Sequence, residues 1–192
     1  KMKIIYTKDK EFKTEFENIL KRAKSDIKGV SKIVENIIDE IVEDGNEALK
    51  RHIEKFDKWI VKSDDELLIS QDSMKKAYET LDESLKKSLH IAYERIKAYH
   101  EKQLPKSWID FEENGTILGQ KVTAVDRAGL YIPGGKAAYP SSLLMNAIPA
   151  KVAGVKEIVV CTPTPNNEVN ELLLAACHLC GVSKVYKVGG AS

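Results

Sequence analysis

Residues 129–161, GLYIPGGKAAYPSSLLMNAIPAKVAGVKEIVVC, decide the fold. Gly129-Leu130-Tyr131-Ile132 reads as a short strand that ends in Pro133-Gly134-Gly135. Ser141 or Ser142 can cap a helix carrying Leu143, Leu144, Ala147, Ile148 and Val152, and Gly154 closes it. Glu157-Ile158-Val159-Val160-Cys161 is a second strand, apolar enough to be buried on both faces. Outward from there the alternation continues. Thr162-Pro163-Thr164-Pro165 turns the chain, a helix is expected from about Asn167 to Cys180 with Gly181 beyond it, and Lys184–Val188 is a third strand followed by Gly189-Gly190. Strand–helix–strand–helix–strand with short links predicts a parallel sheet.

All three strands end in glycine or proline, where ligands of open parallel sheets sit. The next helix N-terminus offers N–H groups to an anion there. The arrangement suits a nucleotide, but neither G-x-G-x-x-G nor G-x-x-x-x-G-K-[ST] occurs, so a purely structural layer stays open.

Upstream the composition changes. Residues 1–103 are dense in Lys and Glu, and residues 122–192 in Val, Ala, Gly and Pro, which predicts a join near Leu104-Pro105. The domains expected are a helical region, 1–104, and a hairpin plus Rossmann-like α/β unit, 105–192. Phe12, Phe16, Ile19 and Leu20 mark a short amphipathic helix. Ile33, Val34, Ile37, Ile38, Ile41 and Val42 mark a second helix that wants a partner surface. Asp44-Gly45-Asn46 stops it, and Glu47 to Phe56 restarts helix. Trp59 to Ile69 is less regular and has room for a short strand, before a long helix capped by Ser70 or Asp72 and reaching about Gln103. Asn114-Gly115 signals a tight hairpin between 108–111 and 116–120.

Composition excludes several functions. The chain has 192 residues, with 30 Lys+Arg against 29 Asp+Glu, so no net field draws nucleic acid or an anionic membrane. No apolar run approaches a membrane span. Cys161, Cys177 and Cys180 read as reduced thiols of a cytoplasmic protein. Cys177-His178-Leu179-Cys180 lacks a second ligand pair for zinc and lies at a helix end, away from the N-terminal position of a redox pair, so packing is expected. His52, His90 and His100 show no paired metal-ligand spacing.

The block from Gly129 to Ala150, with YIPGGKAAYPSS at its centre, resembles the signature of the histidinol dehydrogenases. Other stretches agree. Asp44-Gly45-Asn46-Glu47-Ala48-Leu49 is similar to the family's G-D-x-A-L turn, with Asn46 in place of Asp. Lys55-Phe56-Asp57 matches K-F-D, His100–Gln103 resembles H-x-x-Q, and Val188–Ala191 resembles V-G-G-A. The resemblance implies an NAD- and zinc-dependent oxidation of L-histidinol to L-histidine through the aldehyde, in a homodimer of Rossmann-like domains. Carried over by position, it puts Tyr131, Pro133, Phe56 and Pro163 at the NAD site, with Gly134 and Gly135 permitting close approach. Ser192 stands where the family has a cofactor-binding Gln. The family's zinc ligands, histidinol contacts and Glu-His acid–base pair lie beyond V-G-G-A, so no catalytic or metal residue is assigned here. The expectation is an N-terminal portion, incomplete relative to the family and inactive alone. A stand-alone nucleotide-binding module and a helical assembly protein are the competing readings.

Overall fold

The computed structural model describes residues 4–134 and 139–191, with nothing assigned to the side chains of 22–28. It divides into two compact units, one running to Leu49 and including Ala191, the other Lys50–Gly190.

In the first unit α1, Phe12–Asp44, is a single helix. Two helices were expected, but the chain continues through Gly29, where glycine weakens a helix by only ~1 kcal/mol relative to alanine. Gly45 ends it with φ +57, its N–H bonded to the Ile41 carbonyl at 2.9 Å. The α2 helix, Asn46–Asp57, follows at once.

The second unit is built on a four-stranded sheet. Its strands are β1 (Leu68–Ile69), β4 (Arg127–Tyr131), β5 (Glu157–Cys161) and β6 (Lys184–Tyr186), in the order β1-β6-β5-β4. The β4, β5 and β6 strands are parallel, with Tyr131 opposite Cys161 and Cys161 opposite Tyr186. This is the expected βαβαβ unit, linked by α5 (Pro140–Val152) and α6 (Glu171–Cys180). The short β1 strand adds an antiparallel edge, Leu68 pairing with Tyr186.

The core lies on one side of that sheet. Ile132, Ile158, Val160 and Val185 are buried against Leu143, Ala147 and Ile148 of α5 and Leu173, Ala176 and Cys177 of α6. The alternate residues are only partly covered: Val159 and Cys161 are half-buried, Gly129 and Tyr131 exposed. The second strand is therefore buried on one face, not on both. Its apolar run reflects β propensity as much as burial, because Val159 and Cys161 serve the open face.

The long helix expected from Ser70 to Gln103 is two. Ser70 caps α3 (Gln71–Glu79), and Asp82 caps α4 (Glu83–Glu101) by accepting the Ser84 N–H at 2.8 Å. That bond and the Ser84 hydroxyl hold the Asp82 carboxyl below the usual range. The α3 helix packs on α6 and α4 on α5, so both join the α/β unit rather than the first unit. The hairpin forms as its turn predicts: β2 (Trp108–Phe111) pairs with β3 (Ile117–Gln120), and Gly115 has φ +84.

Candidate functional site

Beyond the carboxyl ends of β4 and β5 the chain leaves a cleft of about 640 Å3, lined by Pro133, Gly134, Tyr139, Pro163, Pro165, Asn166 and the stretch from Glu168 to Leu173. Its floor follows from strand ends in register. Ile132 donates its N–H to the Cys161 carbonyl at 2.9 Å, and Thr162 donates to Tyr186 at 3.1 Å, so the three exits are locked side by side.

Pro163 is the keystone of these exits. A Cβ on Gly134 would stand 2.6 Å from the Pro163 carbonyl oxygen, and one on Gly189 would stand 2.3 Å from the Pro163 Cβ. Both distances are shorter than van der Waals contact. The glycines of the first and third exits thus admit the proline of the second. Sequence reasoning assigned Gly134 to ligand approach; its immediate neighbour is Pro163, and the cleft opens beside that contact.

Tyr131 extends from the open face of β4 with its side chain half exposed, and its hydroxyl oxygen accepts the Gly190 N–H at 3.4 Å. Phe56, on the last turn of α2, is likewise exposed, its ring 6.1 Å from the buried His52 ring. The next residue, Asp57, is buried, and its carboxylate accepts the Thr164 N–H at 2.8 Å. Four segments far apart in sequence therefore meet at one sheet end: Phe56-Asp57, Tyr131–Gly134, Pro163-Thr164 and Gly189-Gly190. Gly135 and Ser192, also expected here, lie outside the described residues.

The two helix N-termini beside the cleft differ. At α6, Asn170 accepts the Leu173 N–H at 3.1 Å, and Glu171 places a negative charge in the first turn. That end already has its cap and its anion. At α5, Pro140 occupies the first turn, Tyr139 provides no side-chain cap, and no acidic residue follows. Ser141 and Ser142, expected as caps, sit inside the helix instead. The α5 end carries no acidic charge, but Pro140 has no N–H and the Ser142 and Leu143 N–H groups both donate to the Tyr139 carbonyl. Sequence reasoning missed the acidic and amide lining of Asn166, Glu168, Asn170 and Glu171; the Asn166-Asn167 pair, both at positive φ, was a turn signal that could have shown it.

The cysteine thiols are held in their protonated form by burial. Cys177 and Cys180 are fully buried in the core. Burial pushes the Cys180 thiol up to about 12, against a smaller opposing pull from Lys151, and pushes Cys177 up as well. Both stay protonated at neutral pH, unsuited to metal or redox chemistry. Cys161, on the open face, is also raised by burial. His100 Nδ1 lies 2.7 Å from the Gln103 amide oxygen, so the H-x-x-Q motif closes on itself at the end of α4. Among the described residues no three His, Cys, Asp or Glu side chains cluster to hold a metal ion, and no helix is long and apolar enough to cross a membrane.

Comparison with known proteins agrees with this architecture. The profile of the family "Histidinol dehydrogenase" matches residues 20–192. Histidinol dehydrogenase of Sulfurimonas denitrificans is 69% identical over 97% of this chain, which spans 43% of that relative. The Helicobacter hepaticus enzyme is 61% identical over the whole chain, which spans 44% of it. The crystal structure of histidinol dehydrogenase from Elizabethkingia anophelis superposes with a TM-score of 0.77 at 29% identity, covering 84% of this chain and 37% of that one. The chain spans less than half the length of the curated relatives it matches. With a fold and a sequence that both agree over most of its residues, the chain belongs to the histidinol dehydrogenase family.

Proposed function

We propose that this chain supplies the dinucleotide-binding wall of an enzyme that oxidises L-histidinol to L-histidine through the aldehyde, with NAD as the acceptor. The observation that carries it is the convergence of Tyr131, Pro133 and Pro163, with Phe56-Asp57 tied in through Thr164, beside a cleft at the ends of parallel strands. NAD, when bound, supplies the hydride acceptor. These residues fit such a group. Tyr131 and Phe56 offer exposed aromatic surface for a flat ring. Pro133 and Pro163 give a rigid apolar floor that sheds little conformational entropy on binding. The first turn of α5 sets no acidic side chain against a phosphate. Gly135 and Ser192 belong to the same proposed cofactor site.

Zinc does not fit the residues described. They contain no ligand cluster, so the metal and the acid–base work are proposed to rest on residues other than these. A homodimer completing the site belongs to the same reading. The helix α1, with Phe16, Ile19, Leu20, Ile33, Ile38 and Val42 all exposed, has apolar surface for an association.

The test is an NAD+ titration of the 192-residue chain by saturation-transfer NMR, with Tyr131→Ala alongside. Saturable binding in the millimolar range, weakened at least tenfold by the substitution, is expected. No binding at 10 mM NAD+, on the order of the weakest useful affinity, would overturn the cleft assignment. Histidinol-dependent NADH formation by this chain alone would overturn the placement of acid–base chemistry elsewhere. NAD binding without any histidinol turnover in a protein of full family length would favour a plain nucleotide-binding module.

A further inference from the structure

We infer that Asp57 is a positioning residue for the cofactor cleft, acting through one peptide plane; this rests on the NAD reading proposed above. Asp57 is the last residue of α2, where a carboxylate opposes the helix macrodipole. It is also buried, at 8% exposure, which is unusual for Asp without a partner. Local helix chemistry thus gives no reason for an acid here; a long-range bond does. Its Oδ2 accepts the Thr164 N–H at 2.8 Å, across 107 residues of sequence.

That N–H belongs to the same peptide unit as the Pro163 carbonyl. A peptide unit is planar, so fixing one end fixes the other. The Pro163 oxygen points at Gly134, where a Cβ would lie 2.6 Å away. Asp57 therefore holds the amide from behind, and Gly134 receives its carbonyl in front. The Thr164 carbonyl is separately engaged, accepting the Asn167 N–H at 2.8 Å, so the turn is held on both sides of that residue. Were the Pro163-Thr164 amide to rotate, its carbonyl oxygen would meet the Asp57 carboxylate and the Pro133-Gly134 seat would be lost. The same bond ties α2 down beside the cleft, where Phe56 precedes Asp57. Asp57 itself does not line the cleft, so its effect on a ligand is exerted through the Pro163-Thr164 turn.

The experiment compares wild type, Asp57→Ala and Asp57→Asn in the 192-residue chain. It reads NAD+ affinity, the Thr164 amide proton resonance and the thermal midpoint. In Asp57→Ala the Thr164 resonance moves upfield, and NAD+ affinity of the folded protein falls about tenfold, the loss expected for one buried charge-assisted bond. Asp57→Asn keeps a neutral acceptor and loses about threefold, since the charged bond is roughly twice as strong. A role confined to stability would lower the thermal midpoint and leave the affinity of the folded protein untouched. Wild-type affinity in folded Asp57→Ala overturns the inference; if that variant does not fold, wild-type affinity in Asp57→Asn does so. If wild type itself binds no NAD+, the cleft reading fails, and positioning is judged by whether Asp57→Asn moves the Gly134 amide resonance together with that of Thr164. An unmoved Gly134 overturns it.

Discussion

The helices α1 and α6 are both rich in large or small apolar residues, yet one displays them and the other hides them. On α1 a stripe of Phe, Ile, Leu and Val follows helical spacing, and Phe16, Ile19, Leu20, Ile33 and Val42 remain exposed. On α6 the run from Leu173 to Cys177, together with Cys180, is buried, with α3 and α5 packed against the helix. The difference is in the pattern. An amphipathic stripe states that a helix has a face to cover, without saying by what. A helix apolar all round already needs neighbours on every side, and the βαβαβ order supplies them.

Truncating the two helical environments should separate them most widely. Leu173→Ala, at a buried site of α6, should cost ~2–5 kcal/mol in urea unfolding. Leu20→Ala, half exposed on α1, should stay within ~0.5 kcal/mol at concentrations where the chain is monomeric. Similar losses at both positions would mean that α1 is covered in solution.

Glycines sharpen the contrast within the sheet. Gly189→Ala drives a methyl into Pro163 and should destabilise by ~1–3 kcal/mol, with loss of NAD+ affinity. Gly129→Ala, on the open face with nothing within 4 Å, should change stability by less than ~0.5 kcal/mol. An equally disruptive Gly129→Ala would show that the open face is occupied.

The buried thiols give no effect at neutral pH and one that appears only in alkali. In the unfolded chain a cysteine ionises near 9.0, while in the fold burial holds Cys180 protonated to about 12. Between those values the unfolded state binds fewer protons than the native state, so stability falls as pH rises. Each such thiol contributes a slope of ~1.4 kcal/mol per pH unit above pH 9, and none below. Cys180→Ala should flatten the alkaline limb of a stability–pH curve by that amount. An unchanged limb would mean that the thiol is not shielded.

Much of this was legible in the sequence, because the signals are local. Strand β5 and the caps around Gly154, Gly181 and Gly115 follow from runs and turn residues read within a few positions. The break between α3 and α4 was hidden because Leu81, Leu85 and Leu89 keep helical spacing across it; Asp82 followed two residues later by Ser84 was the overlooked cap. The two-residue β1 strand is too short for a period, and its pairing with β6 is a tertiary event. The candidate site was legible only in part. Strand-end glycines and prolines marked the place, and resemblance selected Tyr131, Pro133, Phe56 and Pro163. No sequence pattern could show that Gly134 and Gly189 enclose Pro163, or that Asp57 holds the amide behind it, since those contacts span tens to more than a hundred residues.

The most direct test of the strand-end cleft is a chemical-shift map of the chain titrated with NAD+. The account predicts shifts confined to the β4, β5 and β6 exits, including Tyr131, Gly134, Thr164 and Gly190, with the Phe56-Asp57 amides moving in step and α1 unchanged. Shifts centred on the hairpin β2–β3 or on α1, with the strand ends silent, would contradict it.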